Sequence, residues 1–187
     1  EDRRARAVTM RRVLPDSVLS EVGMLDAAAI NEVVEQSWPD IRTADELHDT
    51  LLSVIVMPES LNLPKSWYEF LEELLLQGRA GIASIDGIKM WFAAERLSIM
   101  NGAYHGAEIL RNPAAVEQSQ ISEEDACWTI VRGWMPYTGP ISVPNLSARL
   151  KLPADKIEAA LLRLESSGAI LRGKFTSPNA NPIEWCD

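Results

Sequence analysis

Residues 80–94 read AGIASIDGIKMWFAA, two β-prone runs joined by Asp86-Gly87. That dipeptide favours the tight turn in which both central residues take positive φ, so the stretch is expected to be a β-hairpin. What precedes it narrows the fold further. LDAAAINEVVEQSW reads as a helix stopped by Pro39, and TADELHDTLLSVIVM as a second helix, capped by Thr43, with Leu47, Leu51 and Val54 on one face. KSWYEFLEELLLQ places Trp67, Phe70, Leu71 and Leu74 at helical spacing, and Gly78 closes it. Three helices followed by a hairpin are therefore expected.

The same order recurs downstream. ISEEDACWTIVRGWM offers Ser122 as an N-cap with acids in the first turn, which suit the positive end of the helix dipole, and a stop near Met135-Pro136. SVPNLSARLKL gives a short helix with Ser142 as cap, Pro144 early, and Leu146 and Leu150 four apart. In ADKIEAALLRLESSG, the residues Ile157, Ala160, Leu161 and Leu164 form a buried stripe, and Gly168 ends the helix. AILRGKFT alternates as a strand, and SPNANP reads as a loop. The expected fold is mainly α with small β hairpins, arranged as tandem winged helix-turn-helix units. The expected boundaries are a basic N-terminal arm over 1–15, a first unit over 16–95, a linker with a short helix at ERLSIM over 96–120, and a second unit over 121–187.

Charge limits the functions open to such a fold. The 187 residues carry a formal net charge of −9, which argues against strong non-specific binding to a phosphate backbone. The excess is uneven: residues 121–187 hold seven basic against eight acidic residues, and the first 120 hold eleven against nineteen. Arg3, Arg4, Arg6, Arg11 and Arg12 crowd the first twelve positions. No apolar run approaches the roughly 20 residues that cross a bilayer, and EDRRARAVTMRR lacks the apolar stretch of a signal peptide, so a cytoplasmic protein with no membrane partner is expected. Cys127 and Cys186 lie far apart without metal-ligand spacing, so no metal site is expected, and Cys127 reads as a small buried residue.

Several strings are more specific. LPDSVLSEVGMLD, PDIRTADELHDTLLS, WFAAERL and LLRLESSGAILRGKFT with EWCD resemble, in order and over most of the chain, the region beyond the ATPase core of large helicase-related (Lhr) proteins. The resemblance implies an ATP-driven DNA helicase linked to DNA repair, with RecA-like motor domains followed by winged-helix and barrel-like modules, some of whose relatives are associated with DNA glycosylase activity. The motor itself is not here. No GxxxxGK[ST] loop or Walker-type acidic strand occurs in this chain, so ATP and magnesium would belong to the parent's motor and the chain itself is expected to be catalytically inactive. The string ends at EWCD where related proteins continue, which implies an excised piece.

Candidate contacts follow from helical spacing. The face opposite the stripe of the last helix carries Lys156, Ala159, Arg163 and Ser166, with Arg172 and Lys174 on the adjoining wing. Small and basic residues suit approach to DNA phosphates, and Lys156, Arg163, Ser166, Arg172 and Lys174 are the candidate nucleic-acid-binding residues. Glu158 and Glu165 on the flank suit an ordinary solvated face instead. The equivalent helix upstream turns Glu69, Glu72 and Glu73 outward, which would repel phosphates. The expected partners are thus DNA, weakly, and other domains of the parent helicase. His48 and Asp49, with Asp45 a turn earlier, read as surface helix polarity, since no third ligand or nucleophile accompanies them. His105 is equally alone. Trp38, Trp67, Trp91, Trp128 and Trp134 sit beside apolar neighbours and read as packing, whereas Trp185 stands outside any clear element. Asp187 has no neighbour in sequence that would tune it for glycosylase chemistry.

Overall fold

A computed structural model describes residues 27–117, 119–176 and 182–187. The basic arm, the opening of the first unit and most of SPNANP lie outside the described residues. Helix dominates, and the strands are confined to two small antiparallel sheets.

In the N-terminal half, α1 (Ala27–Ser37) is followed by α2 (Ala44–Val54), whose Thr43 side chain accepts the Glu46 amide. Leu47, Leu51 and Val54 are buried as their spacing requires. The chain then leaves α2 through Ile55, at φ 70 and ψ −52, where the Val56 amide bonds back to the Val54 carbonyl at 2.9 Å. A β-branched residue at positive φ is a genuine outlier, and it turns the chain directly into β1 (Met57–Pro58). A 3₁₀ turn (Glu59–Leu61), α3 (Lys65–Leu76), β2 (Ala80–Ile85) and β3 (Ile88–Ala93) complete the series. Asp86 and Gly87 both have positive φ and join β2 to β3 as expected. A 3₁₀ turn (Ala94–Arg96) closes the expected first unit, and the residues expected to link the units contribute α4 (Leu97–Ala103) and β4 (Glu108–Arg111), which pairs on β2. The sheet order is β1-β3-β2-β4.

The C-terminal half repeats the plan. Helix α5 (Glu123–Thr138) starts at Ser122, whose hydroxyl accepts the Asp125 amide at 3.1 Å. It runs through Pro136 instead of stopping there, because proline's fixed φ fits a helix and the missing N–H costs only the bond to the Arg132 carbonyl in the last turns. Strand β5 (Ile141–Ser142), α6 (Val143–Leu150), α7 (Ala154–Ser166), β6 (Leu171–Gly173) and β7 (Glu184–Cys186) follow. Ser142 occupies the N-cap position of α6 without a side-chain capping bond. The sheet order is β5-β7-β6, which gives Trp185 a strand and a buried place, at 3 % exposure.

The two halves share one core. The buried residues form a continuous cluster, with α5 packed against α2, α4 and α7. The Trp134 indole donates to the Val56 carbonyl at 3.1 Å, and the Tyr104 hydroxyl donates to the Leu150 carbonyl at 2.8 Å. Gly133 lies where α5 crosses the end of α2; a Cβ there would land on the Ser53 carbonyl oxygen. Trp38 stacks on Trp67 at 6.2 Å and meets Trp134 at 6.3 Å between ring centroids. Among the described residues no helix is long and apolar enough to cross a membrane.

Candidate nucleic-acid interface

Helix α7 is placed by its apolar stripe: Ile157, Ala160, Leu161 and Leu164 are buried, mainly against α5. Lys151 at φ 56 ends α6, and the Ser147 hydroxyl bonds the Leu152 carbonyl at 2.6 Å, fixing the short turn into α7. The opposite face of α7 is thereby held outward. Gly168, at φ 74, passes the chain to β6.

The structure gives four of the five sequence-predicted residues an internal partner. Lys156 donates to Glu123 at 2.9 Å, and Arg163 donates to Asp125 at 2.7 Å, so both acids come from the first turn of α5. Arg172 lies 3.3 Å from Glu165 and 5.4 Å from the Trp185 ring centroid. The Ser166 hydroxyl donates to the Arg163 carbonyl at 2.7 Å. Lys174 is exposed and has no ion pair among the described residues. The hydrogen bond from Lys156 holds Glu123 below the usual carboxylate range and raises Lys156 in turn, and the bond from Arg163 does the same to Asp125. A phosphate would have to displace these carboxylates.

Two apolar side chains accompany the cations. Leu162 on α7 is 43 % exposed and Leu171 on β6 is 49 % exposed. On β7, Glu184 accepts the Phe175 and Thr176 amides and the Thr176 hydroxyl, each within 2.9 Å. This buried carboxylate ties the segment after β6 to β7. In the N-terminal half, Glu69, Glu72 and Glu73 are exposed on α3 as expected, and Leu76 beside them is 83 % exposed.

His48 departs from the expectation of surface polarity. It is 5 % exposed, and its Nε2 sits 3.2 Å from Glu95, which the 3₁₀ turn after β3 delivers 47 positions later. Nothing in the local sequence signals that partner. His105 is exposed, and among the described residues no group of three or more His, Cys, Asp or Glu is placed to hold a metal. Cys127 is buried, and that burial pushes its thiol upward, away from reactive thiolate behaviour. No protein-family model matches the chain, and no curated protein sequence matches it closely.

Proposed function

We propose that this chain is a non-catalytic, DNA-positioning region of an Lhr-type ATP-dependent DNA helicase involved in repair, built from two winged helix-turn-helix units. The observation that carries the reading is the repeated strand order. In each half a helix leads to a first strand, a turn or helix, a second helix and two further strands, and the first strand pairs with the last. That arrangement supports a winged-helix reading, in which the recognition helix and wing approach nucleic acid. The sequence strings that resemble Lhr proteins agree with it. On this reading α7 and β6 meet DNA phosphates, the acidic α3 faces another domain of the parent, ATP and magnesium serve the parent's motor, and the protein works in the cytoplasm.

A second reading has its own observation. Lys156, Arg163 and Arg172 already hold Glu123, Asp125 and Glu165, with Leu162 and Leu171 exposed among them. Such a mixed, charge-balanced surface suits docking of another protein domain. Neutralising Arg163, Arg172 and Lys174 together separates the two. Loss of DNA affinity across sequences, with a salt dependence flattened by about one for each phosphate contact removed, is expected if the face meets DNA. Unchanged affinity and slope would hand the face to the docking reading.

A further inference from the structure

Six of the thirteen cations among the described residues are paired with acids, and of the other seven, Arg96 and Arg132 meet in one cleft. Arg79 pairs with Asp45, Arg42 with Asp40, and the cations of α7 with Glu123 and Asp125. Arg96 and Arg132 have no acidic partner among the described residues. Both line a cleft of about 460 Å³ between the end of α2, the 3₁₀ turn Ala94–Arg96 and the middle of α5. Its other polar side chains are Ser53, Thr129 and Tyr137, and no Asp or Glu lines it. In a chain of net charge −9 this local excess of positive charge opposes the global field.

The backbone around the cleft is built to unusual tolerances. Ile55, also in its wall, holds the positive φ that ends α2 abruptly, a strained conformation for a β-branched residue. Gly133 lets α5 approach the Ser53 carbonyl closely enough to form the cleft's floor. The Arg96 Nε donates to the Leu52 carbonyl at 2.9 Å, which both fixes the guanidinium and covers one of the free carbonyls at the end of α2. Arg132 is positioned by Trp128, whose ring centroid lies 5.2 Å from its guanidinium.

We propose that this cleft binds a phosphate group carried on a larger organic body, with Arg96 and Arg132 as the anion-holding pair and the Tyr137 hydroxyl beside them, while the Ser53 and Thr129 hydroxyls donate within their own helices to the Asp49 and Asp125 carbonyls. Guanidinium forks match phosphate oxygens, and the volume exceeds what a bare ion needs while falling in the range of about 300–1,000 Å³ typical of small-ligand sites. The phosphate comes either from a free nucleotide or from the backbone of a single DNA strand. The site lies on α5 and touches the α7 interface proposed above through Trp128, whose ring Arg163 also covers, at 4.4 Å.

The test is a titration of the ¹⁵N-labelled chain with thymidine monophosphate and with inorganic phosphate, followed by amide shifts. Saturable shifts at Ser53, Thr129, Gly133 and Tyr137 are expected, tighter for the nucleotide. Arg132→Gln should weaken binding about tenfold, the loss of one charge-assisted contact, and Arg132→Lys should recover part of it. Arg132 is exposed, so an unchanged thermal transition will show that the fold survives. Shifts that are scattered over the surface, or that Arg132→Gln leaves intact, overturn the proposal. A labelled oligothymidylate then identifies the source: a salt slope reduced by about one in Arg132→Gln assigns the site to a DNA strand, whereas strand binding unchanged beside lost nucleotide binding assigns it to a free nucleotide. Strand binding that depends on Arg163, Arg172 and Lys174, with no saturable nucleotide shifts in the cleft, sinks this inference and leaves the α7 reading standing.

Discussion

In the N-terminal half, β1 pairs on β3, a single 3₁₀ turn stands between β1 and α3, and α3 presents Glu69, Glu72 and Glu73 to solvent. In the C-terminal half, β5 pairs on β7, the eight-residue α6 fills the equivalent gap, and α7 presents Lys156 and Arg163 against Glu123 and Asp125. The buried plan is the same and the outward chemistry differs, acidic on α3 and charge-balanced on α7. Burial constrains where strands and helix stripes must meet, because each apolar face needs a partner, while the solvent side of each third helix is free to diverge. A shared plan is thus no reason to assign both halves one partner.

The comparison breaks down if the halves are separate bodies, and the largest expected effect tests that. Gly133→Ala should destabilise the whole molecule by about 3 kcal/mol or more, since its Cβ would meet the Ser53 backbone, which cannot step aside as a side chain would. Urea unfolding followed by tryptophan fluorescence and by far-ultraviolet circular dichroism should shift together as one transition. Two transitions, only one of them moved, would show that the halves fold independently.

Tyr104 tests the same union at smaller cost. It reaches from the end of α4 to the Leu150 carbonyl, and Tyr104→Phe leaves that buried acceptor unsatisfied, a loss of about 1–3 kcal/mol. Burial drives its phenol well above the ordinary range, with a lesser contribution from Cys127. A raised pKa means that the folded state keeps the proton more tightly, so this stability is complete below about pH 10, the phenol's unfolded value, and declines above it. The wild-type chain should therefore lose stability on the alkaline side of pH 10. An equally steep loss in Tyr104→Phe would mean that Tyr104 is not its source.

How much of this was legible depends on how far each signal travels along the chain. The β2-β3 hairpin was readable because Asp86-Gly87 states its turn locally, and the stripes of α2, α3 and α7 were readable because burial repeats every turn. Strands β1, β5 and β7 were not, being two or three residues long and defined only by distant partners, such as Ile141 opposite Trp185. Trp185 and His48 were misjudged for that reason. Pro136 misled in the other direction, since a proline near a helix end forfeits one bond without stopping the helix. The candidate interface was legible as a set of cations, but their carboxylate partners lie 33 and 38 positions away.

Glu184 sharpens the comparison within the C-terminal half alone. Glu184→Gln keeps the shape but weakens three charge-assisted hydrogen bonds between β7 and the segment after β6, with an expected cost of about 1–2 kcal/mol. Hydrogen exchange should quicken at Phe175 and Thr176 while the amides of β2 and β3 stay protected. Loosening of both sheets would mean that the C-terminal sheet is not a separable element.

The smallest expected effect on stability carries the most information about the surface. If carboxylates mask the cations of α7, then Glu123→Gln with Asp125→Asn should release Lys156 and Arg163 while keeping acceptors for the Lys156 and Arg163 donors and for the Ser122 hydroxyl. Exposed ion pairs contribute little to stability, so the thermal transition should hardly move. DNA affinity at low salt should rise several-fold and its salt dependence steepen by about two, one for each cation now open to a phosphate. Both carboxylates are held below their ordinary range, so the pairs persist above that range and open only as pH falls through the depressed values. The wild-type chain should accordingly gain DNA affinity on strong acidification, and the double variant should show less of that gain. An affinity unchanged by the double substitution would mean that α7 faces no phosphate with or without its acids. The contrast between the halves would then be one between two protein-docking surfaces of different charge.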